Sequence, residues 1–385
     1  MQVKAGARDG SLPRLGLFLP SLGGGGAERV TLNLAQGVVT LGHPVDLLLA
    51  TVAGPYLDEV PEGVRVVDLG GRRTMAALPA LVRYLRREPP ACLLSALNHA
   101  NMVAIWSASI AGFRRRVLVA EHNELPPSSR GCRQRLFNAA LRFSYPRATR
   151  VIAVSHGVKR SLIAHAGIEP EHIEVIYNPV IGARLTSATF ARPSAMASDG
   201  VPNIVAVGRL TEQKNFPNLL RAFASLRSQR PARLTILGEG PDRASLQHLA
   251  GSLSVQEHVT FPGFVSNAYE YLANADLFVL SSDWEGLPTV LIEALALGTR
   301  VVSTDCPSGP REILADGAYG VLVPVGDSSA LTGAMIAALD EPPRLVPESW
   351  LDQFAEGPAV RQYLEACAFV EPAGATTSGG SSHAM

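Results

Sequence analysis

Residues 280–305 read Leu-Ser-Ser-Asp-Trp-Glu-Gly-Leu-Pro-Thr-Val-Leu-Ile-Glu-Ala-Leu-Ala-Leu-Gly-Thr-Arg-Val-Val-Ser-Thr-Asp. Leu277 to Leu280 form the apolar end of a strand, and a polar turn follows it. Pro288 opens a helix that closes near Gly298, and a second short strand runs from Arg300 to Ser303. Proline suits a first helical position, where its missing N–H has no partner to lose. Strand, loop and helix in that order make a crevice at the carboxyl end of a parallel sheet, where open α/β folds take up ligands. Glu285 stands in the loop, and Glu293 follows eight residues later, inside Leu-Ile-Glu-Ala-Leu-Ala-Leu. A buried carboxylate is costly unless something polar meets it, so Glu293 asks for a partner. A helix-capping acid followed by a solvated one is the plainer alternative.

The same alternation runs through the rest of the chain. Strands are expected at Leu15 to Pro20, Val45 to Ala50, Val64 to Asp68, Cys92 to Ala96, Val117 to Ala120 and Val151 to Val154. Helices lie between them, among them one ending near Leu41 and one from Ala77 to Arg87. After a poorly periodic segment from Arg184 to Pro202 the pattern restarts. It gives strands at Asn203 to Val207, Arg233 to Leu237, Val259 to Phe261 and Gly320 to Val323, with helices at Phe216 to Arg227, Ala268 to Asn274 and Ser328 to Leu339. The expected class is α/β, with two similar layered domains facing each other across a cleft. The boundaries follow as an extension over 1–14, a first domain over 15–180, a linker over 181–202 and a second domain over 203–347. A helical segment over 348–370 contains Trp350, Phe354 and Tyr363, and a Gly/Ser/Thr/Ala tail over 371–385 is too poor in apolar residues to be ordered.

A length of 385 residues agrees with two domains, each burying its own core. No run of about 18 uncharged apolar residues exists to span a bilayer. Residues 1–14 carry Lys4, Arg8, Asp9 and Arg14 and lack the apolar centre of a secretory signal, so a cytoplasmic protein is expected. Cys92, Cys132, Cys306 and Cys367 have no metal spacing and read as reduced thiols. The net charge is zero but uneven. Residues 1–180 hold 21 Lys and Arg against 13 Asp and Glu, and residues 181–385 hold 13 against 21. The two halves either face each other through opposite charge, or the first half meets an anionic partner.

Candidate chemistry sits at the strand ends. The Gly23–Gly26 run follows a strand and precedes a helix, so its backbone can approach an anion closely. Glu28 stands where a dinucleotide fingerprint needs glycine, and no Lys-Ser or Lys-Thr follows as in a Walker loop. A tight structural turn explains the run equally well. Arg209 and Lys214 flank Leu-Thr-Glu-Gln just past Gly208, and two cations above a strand end suit a diphosphate. Ordinary solvated cations are the alternative. Gly238 opens a further flexible rim, and Phe264-Val265 offers an apolar wall to a nucleobase. In the first half Glu121-His122-Asn123 ends a strand, where an imidazole can bond a substrate hydroxyl or phosphate. Ser155-His156 is weaker, because it can simply cap a helix. The chain has no Asp-x-Asp pair, no metal-spaced cluster and no Gly-x-Ser-x-Gly elbow, so neither a protein-held metal nor the commonest α/β hydrolase is expected. Between Arg130 and Arg147, the arginines Arg130, Arg133, Arg135, Arg142 and Arg147 alternate with Leu136, Phe137, Leu141, Phe143 and Tyr145. The stretch suits an anionic membrane surface or a solvated helix face. No nucleic-acid module accompanies it.

In this order the motifs resemble those of the retaining glycosyltransferases of family 4, with the GT-B fold of two facing Rossmann-like domains. The likeness runs from about Leu15 to Phe369. It is carried by Val207-Gly208-Arg209-Leu210 to Lys214-Asn215, by Leu237-Gly238-Glu239-Gly240-Pro241, and by Glu285-Gly286-Leu287-Pro288 through Glu293. The last segment is the family's Glu-x₇-Glu motif, complete here.

The resemblance implies a first domain on the acceptor side and a second that binds a nucleotide sugar. Arg209 and Lys214 would bind the diphosphate, Glu285 the sugar hydroxyls and Glu293 the ribose hydroxyls. The backbone from Gly286 through Leu287 and Pro288 to Thr289 would cradle donor oxygens. His122 would contact the donor sugar, Gly24, Gly25 and Gly26 would close over phosphate and acceptor, and Ser155 would lie near the acceptor. The helix around Trp350 would cross back onto the first domain. Retention by front-face transfer is implied, with Glu285 as a covalent nucleophile the less favoured route. Thr304 to Leu314 looks like the version in bacterial enzymes that build lipid-linked or surface polysaccharides, often from UDP-hexose or UDP-HexNAc. That implies a UDP-sugar donor, no metal, a lipid-linked or glycolipid acceptor, and a place on the inner face of the cell membrane. A soluble acceptor, a GDP-mannose donor, a non-catalytic nucleotide-sugar-binding subunit and a sugar-phosphate epimerase are the alternatives.

Overall fold

The computed structural model describes residues 12–125, 132–186, 189–194, 196 and 199–371. Most of the 1–14 extension, Arg130 with the side chain of Arg133, and the 371–385 tail beyond its first residue lie outside the described residues. Two parallel sheets organise the chain. The first contains β1 (Leu15–Leu19), β2 (Val45–Leu49), β3 (Val64–Asp68), β4 (Cys92–Ala96), β5 (Arg116–Glu121), β6 (Arg150–Ala153) and β7 (Ile173–Val175), in the order β3-β2-β1-β4-β5-β6-β7. The second contains β8 (Asn203–Val207), β9 (Arg233–Leu237), β10 (Val259–Gly263), β11 (Leu277–Leu280), β12 (Val301–Thr304) and β13 (Val321–Val323), in the order β10-β9-β8-β11-β12-β13.

Continuous apolar runs such as Leu-Gly-Leu-Phe-Leu in β1 and Leu-Phe-Val-Leu in β11 belong in strands covered on both faces, and both are fully buried. Each sheet reverses its strand order once, between β1 and β4 in the first and between β8 and β11 in the second. Outside the carboxyl ends of such neighbours a crevice opens, because the helices that follow turn to opposite faces. The Gly23–Gly26 run leaves β1. Arg209 and Lys214 follow β8, and Glu285 follows β11. Topology thus assembles the loops singled out in the sequence.

Some elements depart from the sequence pattern. β7 has only three residues, Ile-Glu-Val, too few to announce a strand. The Arg243–Ser252 helix, just past the Gly238 rim, is one that the sequence pattern did not announce. Trp350 does not cross back: its indole N–H donates to the Ile313 carbonyl at 3.0 Å and its ring tilts against Tyr319, both in the second domain. The crossing is made by the Glu356–Ala366 helix. Val360, Tyr363, Leu364 and Cys367 join the apolar cluster of β1, β2 and the Gly26–Thr40 helix. Gly37 makes room for it, because a Cβ there would sit 2.4 Å from Val360 Cγ2.

Candidate active site

A cavity of about 690 Å³ lies between the sheets. Gly24, Gly25, Gly26 and His122 line it from the first domain, and Gly208, Arg209, Lys214, Gly238, Val265, Glu285, Leu287, Pro288, Thr289 and Glu293 from the second. Gly286 stands behind this wall: its backbone bridges to Asn123, and a Cβ on it would lie 2.0 Å from the His122 carbonyl oxygen. Only glycine lets the two domains meet so closely at this point.

The second-domain side is tightly built. Lys214 Nζ donates to Glu285 Oε1 at 2.5 Å, and Ser282 Oγ donates to the same oxygen at 2.6 Å. The two loops are stitched by Gln213 Nε2 to the Trp284 carbonyl at 2.9 Å, Asn215 Nδ2 to Asp283 Oδ1 at 2.7 Å and Ser281 Oγ to the Lys214 carbonyl at 2.7 Å. The Lys214 stem crosses Gly208 so closely that a Cβ would meet its Cε at 2.8 Å. Gly238 adopts φ +134° against the Gly208 carbonyl, a conformation and an approach that only glycine combines. A half-buried amine beside a buried carboxylate thus has a fixed geometry before any ligand arrives.

Glu293 contrasts with it. It is buried in the Thr289–Ala296 helix, and no hydrogen bond meets its carboxyl among the described residues. Burial pushes that carboxyl up to about 7, with Arg29 of the first domain pulling the other way. His122 carries no hydrogen bond on its ring among the described residues, and loss of solvent lowers it to about 4, so it is neutral at pH 7. Directly before it, Glu121 accepts from Tyr145 Oη and from Asn101 Nδ2 at 3.0 Å, yet burial still raises it to about 7. The strand end that presents His122 therefore rests on a sealed polar cluster.

Ser155 does not face the cavity. Its hydroxyl donates to the Gly286 carbonyl at 2.9 Å and accepts from Val158 N at 3.1 Å, so it caps a helix and straps the domains together. Beside it the His156 and Gly157 N–H groups donate to Glu312 of the second domain at 2.9 and 2.7 Å.

Glu28, Arg29, Tyr56, Arg184, Gln213 and Tyr269 also line the cavity, and sequence reasoning did not select them. Glu28 and Arg29 stand one residue past the glycine run, after Ala27, so the strand-end logic could have reached them. Glu28 is buried with its carboxyl raised by desolvation, the Arg209 charge opposing. Both close on Gly25, where a Cβ would lie 2.5 Å from Glu28 Oε2 and 3.1 Å from Arg209 Nη2. Tyr56 and Tyr269 have no local pattern to announce them.

The arrangement offers a fixed lysine, an exposed arginine, a buried carboxyl with no hydrogen bond among the described residues, a neutral imidazole and the amino end of a helix, all facing one space. The family model described as Glycosyltransferase Family 4 matches residues 24–183, and that described as Glycosyl transferases group 1 matches residues 189–349. The chain is 30% identical over 349 residues to the N-acetylgalactosamine-N,N'-diacetylbacillosaminyl-diphospho-undecaprenol 4-alpha-N-acetylgalactosaminyltransferase of Campylobacter jejuni, covering 86% of this chain and 91% of that one. It is 29% identical over 318 residues to the lipopolysaccharide core biosynthesis glycosyltransferase LpsE of Rhizobium meliloti, covering 81% and 84%. Among solved structures, Anabaena Alr3699/HepE in complex with UDP-glucose superposes with a TM-score of 0.71 at 19% identity, covering 93% of this chain and 97% of that one. The chain belongs to glycosyltransferase family 4 and is a glycosyltransferase of the GT-B fold.

Proposed function

We propose that the chain transfers a hexose or N-acetylhexosamine from a UDP-sugar, with retention, to a lipid-linked or glycolipid acceptor in the building of a bacterial polysaccharide. The observation that carries this reading is the convergence of Arg209, Lys214, Glu285, Glu293 and His122 on one cavity between the two sheets. The diphosphate lies against Arg209, Lys214 and the amino end of the Thr289–Ala296 helix, and Glu293 accepts from the ribose hydroxyls. Glu285 faces the sugar with one oxygen already held by Lys214 and Ser282. That hold suits a hydrogen-bonding partner better than a covalent nucleophile.

As the sugar–oxygen bond breaks, the leaving phosphate gains charge, which Arg209, the fixed Lys214 and helix N–H groups stabilise. Arg209 and Lys214 supply that charge in place of a metal, so chelators leave transfer unchanged. The leaving phosphate takes the acceptor hydroxyl's proton on the same face, and neutral His122 bonds a sugar hydroxyl. The Campylobacter relative, named for transfer to a diphospho-undecaprenol saccharide through a 4-alpha linkage, supports the acceptor class and retention. The UDP-glucose complex of a fold neighbour supports the donor class.

Among the described residues no helix is long and apolar enough to cross a membrane. The Cys132–Ser144 helix leaves Leu136 69% and Phe143 66% exposed near Arg142 and Arg147, which supports a peripheral seat on an anionic membrane.

A donor screen tests the reading. The purified protein is mixed with UDP-Glc, UDP-GlcNAc, UDP-Gal, UDP-GalNAc or GDP-Man, and slow hydrolysis and thermal shift are followed without acceptor. One UDP-sugar should protect selectively, and Glu293→Ala or Lys214→Ala should abolish the effect. Activity with GDP-Man alone reverses the donor assignment, and failure to bind anionic liposomes favours a soluble acceptor.

A further inference from the structure

Around Glu293 the cavity wall comes from four separate parts of the chain. Arg29 reaches it from the Gly26–Thr40 helix and Tyr56 from the turn before Glu59. Arg184 comes from the Ala183–Thr186 helix, and Tyr269 from the Tyr269–Ala273 helix of the second domain. Arg29 is the most constrained of these. Its Nη1 and Nη2 both donate to the Glu59 carboxylate, the second at 2.9 Å, and its Cζ lies 4.1 Å over the Tyr56 ring. Glu59 is held in turn by Arg184 at 2.7 Å, and Tyr56 meets Phe264 of the second domain edge to face at 5.7 Å. With its side chain 13% exposed, the guanidinium is a cation locked in place rather than one waving in solvent. Two arginines on one Glu59 leave this end of the cavity one positive charge in excess, facing a carboxyl that has no hydrogen-bond partner of its own among the described residues.

We propose that Arg29, clamped between Glu59 and Tyr56, is a positioning residue for the nucleotide donor: from the first domain it supplies the counter-charge to Glu293 of the second, so that ribose capture and apposition of the two domains are one event. This rests on the reading of Glu293 as the ribose acceptor. Ribose hydroxyls donate to a carboxylate and far less well to a carboxylic acid. An opposite charge from across the cleft favours the ionised form, and burial disfavours it. Arg29 stands on one domain and Glu293 on the other, so the balance depends on how closely the domains approach. Tyr56 and Tyr269 also face Glu293 but stay neutral around pH 7, since burial and the Glu293 charge raise both phenols. Arg184 and Glu59 are the remaining charges nearby, and Glu28, Arg209, Lys214, Glu239 and Glu285, with the neutral His122, complete the titratable lining of the same cavity.

The test is the affinity of the full chain for UDP-glucose, measured by calorimetry from about pH 5.5 to 8.5, a range in which its two diester phosphates keep their charge. Affinity of the unaltered protein should fall as the pH drops through about 7, where Glu293 takes up a proton. Arg29→Gln should move that break upward by about one pH unit and so weaken binding about fivefold at pH 7. Glu59→Gln removes the charge that offsets Arg29 and should move the break downward, a shift of opposite sign that a folding defect cannot imitate. Arg29→Lys keeps the charge but loses the two-armed hold on Glu59, so its break should lie between those of the unaltered protein and Arg29→Gln. A break that stays in place in both Arg29→Gln and Glu59→Gln, or in Glu59→Gln alone where Arg29→Gln does not fold, overturns the proposal. Glu293→Gln separates the two readings. It should bind weakly with no break at all, and if it binds as tightly as the unaltered protein, the ribose reading itself has failed.

Discussion

Glu285 and Glu293 are eight residues apart on one loop and one helix, and both are nearly sealed, at 6% and 8% exposure. Their surroundings are opposite. Glu285 receives a lysine and a serine on one oxygen before any ligand arrives, whereas Glu293 has apolar helix neighbours and an arginine across the cavity. A carboxylate satisfied in advance is a fixed part of the wall. An unsatisfied one destabilises the empty protein and becomes useful only when something donates to it. The site thus has a rigid end, at Glu285 and Lys214, and a poised end, at Glu293.

Breaking the rigid end should have the largest effect. Lys214→Met removes the amine and leaves Glu285 buried with Ser282 alone. Transfer should fall about 10²–10³-fold, the usual cost of a lost charge-stabilising donor. Stability should fall by about 2–4 kcal/mol, because the partner carboxylate is left uncompensated. Steady-state transfer and urea unfolding read the two effects separately. Loss of stability with transfer intact would reduce the pair to a strut.

On the first-domain wall His122→Ala should lower transfer about 10–100-fold with little change in stability, since the imidazole has no bond among the described residues to lose. His122 stays neutral above about pH 4, so the histidine contributes no break to the rate profile between about pH 6 and 8. A break in that window that disappears in His122→Ala would show an imidazole far more basic than its burial allows.

The rigid end was legible in the sequence and the poised end only half so. Glu285, Pro288, Gly208 and Lys214 are local features: strand ends, a helix start and a loop short enough to bring two cations together. Glu293 stood out as a carboxylate among leucines. What answers it did not, because Arg29, Tyr56 and Arg184 belong to the first domain and the linker, and nothing in their local spacing says where a second domain will stand. The two sheets were readable from continuous apolar runs, whereas β7, with a glutamate at the middle of three residues, carries no period at all. Trp350 misled for a related reason. An aromatic residue announces burial, not the partner it is buried against: of the aromatic residues in the 348–370 segment, Tyr363 packs on the first domain beside Val360, and Trp350 on the second.

Glu293→Gln tests the poised end through stability. In the unfolded chain this carboxyl titrates near its ordinary 4.5, and in the native protein near 7. Between those values the native state binds more protons, so stability falls as pH rises and the full penalty is present above about 7. The glutamine variant should therefore be more stable at pH 8 by roughly 1–3 kcal/mol, and this advantage should vanish near pH 4.5. Glu121 titrates in the same direction, but it is common to both proteins and cancels in the difference. Calorimetric melting of the pair across pH reads it directly, and a constant difference at every pH would mean that the glutamine gains by packing and not by charge.

Ser282→Ala should have the smallest effect, and it bears on the other half of the comparison. The hydroxyl donates to Glu285 Oε1 at 2.6 Å, while the Ser282 carbonyl is held separately by Thr304 Oγ1 at 2.6 Å. Deleting the hydroxyl leaves the loop anchored through its backbone and leaves Lys214 on the carboxylate. The loss should be that of one hydrogen bond to a charged group, about 1–2 kcal/mol of stability, with transfer reduced less than about fivefold. If the rigid end is set by several bonds at once, Lys214 compensates and the rate barely moves. If transfer instead falls as far as in Lys214→Met, Glu285 is balanced on two bonds with nothing in reserve, and the contrast between a fixed carboxylate and a poised one disappears.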